Sequence, residues 1–238
     1  MQTQLSALDI ARALADEAET AILPHFRALP DVENKAATGF DPVTIADRAA
    51  ERAIRDRLAA LSPADGVLGE EYPPTEGTSG RTWVLDPIDG TRAFMAGLPT
   101  WGVLIALADA GVPTVGMMAQ PFVGERSFAA AGAGAFHIWP RGTARTRTPR
   151  RSRLADAVVA CTALDHFDPQ MRGVLEALSR KCRLVRFGTD CYGYAMLAAG
   201  HVDIVFETGL KPFDIAPFVP IVEEAGGVLV DRKGAPIA

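Results

Sequence analysis

A chain of 238 residues that is 48% hydrophobic holds enough apolar material for one large core or two closely packed units. Its 29 acidic and 24 basic residues leave a formal charge of -5, which offers no electrostatic footprint for nucleic acid and argues against a polyanionic partner. No apolar run reaches the roughly 18 residues that span a bilayer, and the amino terminus carries Asp9, Asp16, Glu17 and Glu19 where a signal peptide has basic and then apolar residues. A soluble, cytoplasmic protein with no membrane partner is expected.

From residue 7 to about 27, Ala7, Ile10, Leu14, Ala18 and Ile22 recur at helical spacing, with Ser6 and Asp9 placed as a capping pair and Pro24 bending or ending the last turn. A loop of small and polar residues runs past Asp41-Pro42 into a second helix over 44–61, whose charges Asp47, Arg48, Glu51 and Arg52 are expected on its outer face. After Gly66 the pattern becomes short apolar runs bounded by Gly and Pro. Residues 82–85, 103–107 and 114–118 read as strands, and 126–130 and 135–139 continue them as an antiparallel meander. The basic stretch 141–151 lacks interleaved aromatics and reads as a solvated loop. It also gives the one plausible boundary, near 140–153, inside a single domain of 1–238 with subregions of about 1–150 and 151–238.

The second half alternates: strand over 158–161, helix over 170–179, strand over 182–186, helix over 192–199, strand over 203–206, helix over 213–225, strand over 227–230. The expected class is α/β, a mixed α+β protein in layers. Cys161, Cys182 and Cys191 form neither a paired framework nor a CxxC motif, and read as small buried hydrophobes.

The run Trp83-Val84-Leu85-Asp86-Pro87-Ile88-Asp89-Gly90-Thr91 ends an apolar strand in two acids. Two carboxylates so close repel one another unless a cation lies between them, while Pro87 stiffens the turn and the Ile88 carbonyl offers another hard oxygen. With no His or Cys beside them, that set suits magnesium better than zinc. If a short helix begins at Gly90 and Thr91, its N–H groups face a phosphate held there, and the Thr91 hydroxyl can orient a water. Taken alone, the string is equally an Asp-rich turn. Leu68-Gly69-Glu70-Glu71 places paired acids after another apolar run, able to add a ligand and a water-polarising group or simply to be solvated. Asp214 opens an apolar helical pattern, where it is a ligand, an ordinary N-cap, or both.

These pieces occur together and in order, from Gly69-Glu70-Glu71 through Asp86-Pro87-Ile88-Asp89-Gly90-Thr91 to Phe213-Asp214-Ile215-Ala216 and Glu223-Glu224-Ala225-Gly226-Gly227. The set resembles the inositol monophosphatase family, and Asp41-Pro42-Val43-Thr44-Ile45-Ala46-Asp47 is similar to the segment that precedes the family's glutamate motif. The resemblance covers most of the chain. It implies a layered α-β-α-β-α sandwich and a magnesium-dependent phosphatase acting on a small phosphate monoester. It places Glu70, Asp86 and the Ile88 carbonyl around a first metal and Asp86, Asp89 and Asp214 around a second, and allows a third, weaker magnesium near Glu70. Thr91, paired with Asp47, then activates the attacking water with Glu70, and the backbone amides of Gly90 and Thr91 hold the phosphate. This is two-metal hydrolysis without a phosphoenzyme. His25, His137, His166 and His201 lie in none of these motifs.

Within the family, four segments look most like the histidinol-phosphate phosphatases: Thr91-Arg92-Ala93-Phe94 leading into Gly97-Leu98-Pro99-Thr100-Trp101-Gly102, Gln120-Pro121-Phe122-Val123-Gly124-Glu125-Arg126, Gly188-Thr189-Asp190-Cys191-Tyr192, and Leu210-Lys211-Pro212-Phe213-Asp214. Histidinol phosphate presents an ammonium and an imidazole, which Asp190 and Glu207 can meet with negative charge, whereas an inositol ring has no charge to pair. Arg186, Gly188, Thr189 and Asp214 are expected to border the substrate. The structural alternatives are that Asp190 caps the following helix, Glu207 and Lys211 are solvated, and Arg186 is a strand-end residue. Three functions stay open: histidinol-phosphate phosphatase, inositol or sugar-phosphate phosphatase, and a non-catalytic metal-binding interaction protein. Relatives in the resembled family usually continue past the position of Ala238 through another strand and a closing helix, so an incomplete carboxy-terminal sheet is expected. A homodimer is expected by analogy alone.

Overall fold

The computed structural model describes residues 5–28, 32–34, 42–149, 153–165 and 167–237; Asp41, Arg150, Arg151 and His166 lie outside them. Helix α1 (Ala7–Ile22) opens with the expected capping box, in which the Asp9 N–H donates to the Ser6 hydroxyl at 3.2 Å and the Ser6 N–H to the Asp9 carboxylate at 3.3 Å. Pro24 cannot continue the α-helical ladder, and the chain tightens into a single 3-10 turn at Leu23–His25. A short antiparallel hairpin, β1 (Val32–Asn34) with β2 (Pro42–Thr44), leads into α2 (Ile45–Leu61). The outer face expected for its four charges is half correct. Arg48 and Arg52 are exposed, but Asp47 and Glu51 are 1% and 0% exposed, on the stripe that also buries Ala46, Ala50, Ile54 and Leu58. Each buried acid has local donors, and this is what makes its position tolerable.

The meander grows into a seven-stranded sheet: β3 (Gly66–Gly69), β4 (Arg81–Asp89), β5 (Gly102–Asp109), β6 (Val112–Gln120), β7 (Glu125–Ala130), β8 (Gly134–Trp139) and β9 (Gly142–Arg145), in that spatial order. Only β3 runs parallel to its neighbour. Helix α3 (Thr91–Met95) interrupts the meander after β4. Strand β9 corrects the loop reading of the basic stretch: its backbone pairs with β8 while all four of its residues stay exposed. An edge strand needs only the partner's ladder, so a polar sequence can supply one.

The rest of the chain supplies a 3-10 turn at Leu154–Asp156, β10 (Val158–Cys161), α4 (Pro169–Ser179), β11 (Leu184–Phe187), α5 (Asp190–Ala198), β12 (Ile204–Val205), α6 (Pro212–Ile215) and α7 (Phe218–Glu224). Strands β11, β10 and β12 form a small parallel sheet in that order. The helix expected over 213–225 is two helices, because Pro217 has no N–H to bond and its ring clashes with the preceding turn. The strand expected over 227–230 is absent; Val228 is 78% exposed and only an isolated bridge joins Val230 to Pro236.

Helices α1 and α2 cover one face of the large sheet, where Leu14, Ile22 and Ile54 pack on Trp83, Leu85, Ile105 and Met117. On the other face α5 and α7 pack on Leu104 and Met118. The small sheet lies beyond them, and α4 covers its far side through Leu175 against Val159 and Cys161. These are the layers α-β-α-β-α. Each large apolar side chain taken from water contributes roughly 1.5–3 kcal/mol. With both faces of the sheet covered, β5 is apolar from Val103 to Ala108 without alternation. Among the described residues no helix is long and apolar enough to cross a membrane.

Candidate active site

Residues three apart on a regular strand face opposite ways, so Asp86 and Asp89 need a break in β4 to point together. The break is there: β4 pairs with β5 through Asp86 and Leu104, then resumes at Asp89 and Gly102 with the register shifted. The bulge falls on Pro87-Ile88, where a missing N–H costs no ladder bond. Asp86 closes it by accepting the Ile88 N–H at 3.0 Å. Asp214, from α6, completes a cluster in which one carboxylate oxygen of each acid lies within 4.8 Å of the others. Asp214 also accepts the Lys211 N–H at 2.7 Å, but Lys211 holds the N-cap position and Asp214 the third helical one, so Asp214 is no N-cap: it closes the turn from inside while joining the cluster.

Glu70 reaches the same cavity from the end of β3, the parallel neighbour of β4. Its turn is clamped by Glu51, a residue the sequence reading put on the surface. The Glu51 carboxylate accepts the Glu71 N–H at 2.7 Å and the Arg55 Nε at 2.8 Å. Gly69 makes room for it, since a Cβ there would lie 2.0 Å from Glu51 Oε1. The available signal was spacing: Glu51 lies one turn from Asp47 on an otherwise apolar stripe.

The acids perturb one another. Burial, then Glu70, Asp89 and Asp214, push the Asp86 carboxyl well above the usual range. Burial, then Asp214 and Asp190, push Asp89 up to about 8, against the Cys191 N–H that it accepts at 2.8 Å. Asp47 is also raised, mainly by burial, although its carboxylate accepts from Thr44. Like charges taken out of water in this way call for a cation. The donors are hard oxygens, and the one thiol beside them, Cys191, is held protonated chiefly by burial. The set therefore fits a magnesium-class ion.

A cavity of about 580 Å³ runs from these acids to Asp190 and Glu207. Gly90 and Thr91 line it at the start of α3, as expected. Gly90 has φ +82°, and a Cβ would press on Asp190 at 3.0 Å and on the Trp101 backbone at 3.1 Å, so glycine is required twice over. The Thr91 hydroxyl donates to the Ile88 carbonyl at 3.1 Å, and Asp47 takes the Thr44 N–H at 2.8 Å; Thr91 and Asp47 are not bonded to one another.

At the far end, Asp190 does not cap α5. Thr189 holds the cap position, while Asp190 sits at φ +45°, its carboxylate accepting the Thr100 hydroxyl at 2.8 Å. Burial raises Glu207 to about 7, opposed by the Thr162 N–H and reinforced by Asp190. Gly188 lines the cavity, but Thr189 and Arg186 do not. The Thr189 hydroxyl is buried without a partner, and Arg186 is exposed on β11, the outer strand of the small sheet. Thr162 and Arg92 also line the cavity, and Arg92 pairs with Asp165 at 2.7 Å. Neither was named as a site residue from the sequence, although Arg92 stands in a family-like segment; Thr162 gains its position from loops far apart along the chain.

The family model of the inositol monophosphatases matches residues 4–238. The chain belongs to this family. A histidinol-phosphatase of Streptomyces coelicolor is 38% identical over 99% of this chain and 90% of its own length. A chloroplastic bifunctional phosphatase of Arabidopsis thaliana is 35% identical over 94% of the chain, which spans only 64% of that relative. A solved inositol monophosphatase from Zymomonas mobilis has the same fold, with a TM-score of 0.84 and 39% identity across 98% of this chain and 90% of its own. Histidinol-phosphatases and inositol monophosphatases are both phosphoric monoester hydrolases, so family membership carries the reaction class while leaving the alcohol open.

Proposed function

We propose that this inositol monophosphatase family member hydrolyses histidinol phosphate to histidinol and phosphate with bound Mg2+. The observation that carries the reading is the polarity of the cavity: a three-carboxylate cluster at one end and two further acids, Asp190 and Glu207, at the other. A phosphomonoester with a cationic tail matches both ends, its phosphate facing the first and its ammonium and imidazole the second. The resemblance of several segments to histidinol-phosphate phosphatases supports the same choice.

In this reading Glu70, Asp86 and the Ile88 carbonyl hold one magnesium, and Asp86, Asp89 and Asp214 a second, with a third, weaker ion near Glu70. Such ions supply neutralising charge for the phosphoryl and leaving-group oxygens and a more acidic attacking water. The chain's own part is placement. Gly90 and Thr91 present backbone N–H groups to the phosphate, and the Ile88 carbonyl fixes the Thr91 hydroxyl that orients the water. Asp190 and Glu207 fix the organic end so that the phosphorus cannot rotate away from the water's line of attack. Asp47 acts through α2, whose first turn it caps beside Glu70.

An inositol phosphate is the second reading, favoured by the likeness to the Zymomonas mobilis enzyme. Phosphate release measured with Mg2+ on histidinol phosphate, inositol 1-phosphate and fructose 1,6-bisphosphate separates the two. Histidinol phosphate is expected to give the highest kcat/KM, and equal or better turnover of inositol 1-phosphate refutes the proposal.

A further inference from the structure

Thr162 follows β10, the central strand of the small sheet, so it lies between the loops that leave β11 and β12. It uses three atoms to tie them. Its carbonyl accepts the Gly188 N–H at 2.9 Å, its hydroxyl oxygen accepts the Asp190 N–H at 3.1 Å, and its own N–H donates to the Glu207 carboxylate. Both acids at the organic end of the cavity are thus held by one residue.

Only one of these ties depends on the side chain. Any residue could supply the carbonyl and, proline apart, the N–H, but the acceptor for Asp190 must be a hydroxyl at this place. Asp190 needs that acceptor, because its φ of +45° lies in the left-handed region that aspartate occupies only when neighbours compensate. The Thr100 hydroxyl holds the carboxylate and Thr162 holds the backbone. Without the second, Asp190 can relax toward a right-handed first turn of α5, which swings its carboxylate off the cavity wall.

We infer that Thr162 is a positioning residue for substrate selection, fixing Asp190 and Glu207 at one separation so that they meet a cationic substrate tail together. The inference rests on the substrate reading above. The test compares Thr162→Val, which keeps shape and loses the acceptor, with Thr162→Ser, which keeps the acceptor, on histidinol phosphate and inositol 1-phosphate. Thr162→Val is expected to raise KM for histidinol phosphate about five- to tenfold, the factor one net hydrogen bond carries, with kcat within about twofold. Inositol 1-phosphate turnover should be unchanged, and Thr162→Ser should restore the wild-type KM. If valine does not fold at this position, Thr162→Ala carries the same comparison. An unchanged KM, or a loss shared by both esters, overturns the role of Thr162. Asp190→Asn distinguishes the cases: if it raises KM for histidinol phosphate while Thr162→Val does not, only this inference fails. If Asp190→Asn also leaves that KM alone, the substrate reading fails and this inference with it.

Discussion

Replacing Glu207 by glutamine should make the metal-free protein more stable at neutral pH while weakening its hold on a cationic substrate. Glu207 is raised from the ordinary 4.5 to about 7, chiefly by burial. An acid that titrates higher in the folded chain than in the unfolded one makes the fold lose stability as pH climbs from about 4.5 to about 7, after which the loss is complete. At about 1.4 kcal/mol per pH unit, that interval amounts to about 3 kcal/mol. Glutamine keeps an oxygen for the Thr162 N–H and has no charge to desolvate, so it escapes the loss. For a chain of this length the gain corresponds to about 5–10 °C in Tm at pH 8, falling to nothing at pH 4. Thermal melts of both proteins in EDTA at pH 4, 6 and 8 measure it directly. A glutamine variant whose Tm tracks the parent at all three pH values refutes the account of Glu207 as a desolvated acid.

Other perturbations test the opposite end. Asp86→Asn should lower kcat at least about 10³-fold in the phosphate-release assay, because it removes the acid shared by both proposed metals. The same variant should melt higher than the parent in EDTA at pH 8, since it deletes a carboxyl that burial and the neighbouring acids hold well above the usual range. Gly69→Ala should cost about 2.5–6 kcal/mol in urea denaturation, the sum of overpacking and loss of the charge-assisted bond from the Glu71 N–H to Glu51. Asp190→Ala should raise KM for histidinol phosphate about 10- to 100-fold and spare inositol 1-phosphate, as initial-rate kinetics on both esters will show.

Legibility in the sequence followed range. The capping box of α1, the meander and the Asp86-to-Thr91 turn were readable because each is decided within a few residues of itself. The burial of Glu51 was hidden because an acid beside Arg52 and one turn from Arg55 looks solvated, and the backbone N–H it accepts lies twenty residues on. Helix 213–225 failed at Pro217, a local signal outweighed in the reading by apolar periodicity. Arg186 was expected at the cavity, with a strand-end role as the alternative, yet a residue two before Gly188 on an edge strand can face away from it. Thr162 was invisible for the opposite reason: its three partners belong to segments that meet only when the small sheet forms.

Helix α5 is the spacer between the two sheets, and it is thin. A Cβ on its Gly193 would lie 3.5 Å from Ala160 of β10, and its Cys191 sulfur leaves only 2.9 Å for a Cβ on Gly102 of β5. Asp86 and Asp89 sit on β4 of the large sheet and Glu207 follows β12 of the small one, while Asp190 opens α5 itself. The length of molecule that can bridge them is therefore set by the girth of one helix. In this fold α5 works as a ruler: bulkier residues on its two flanks would move Glu207 away from the clustered acids without altering either.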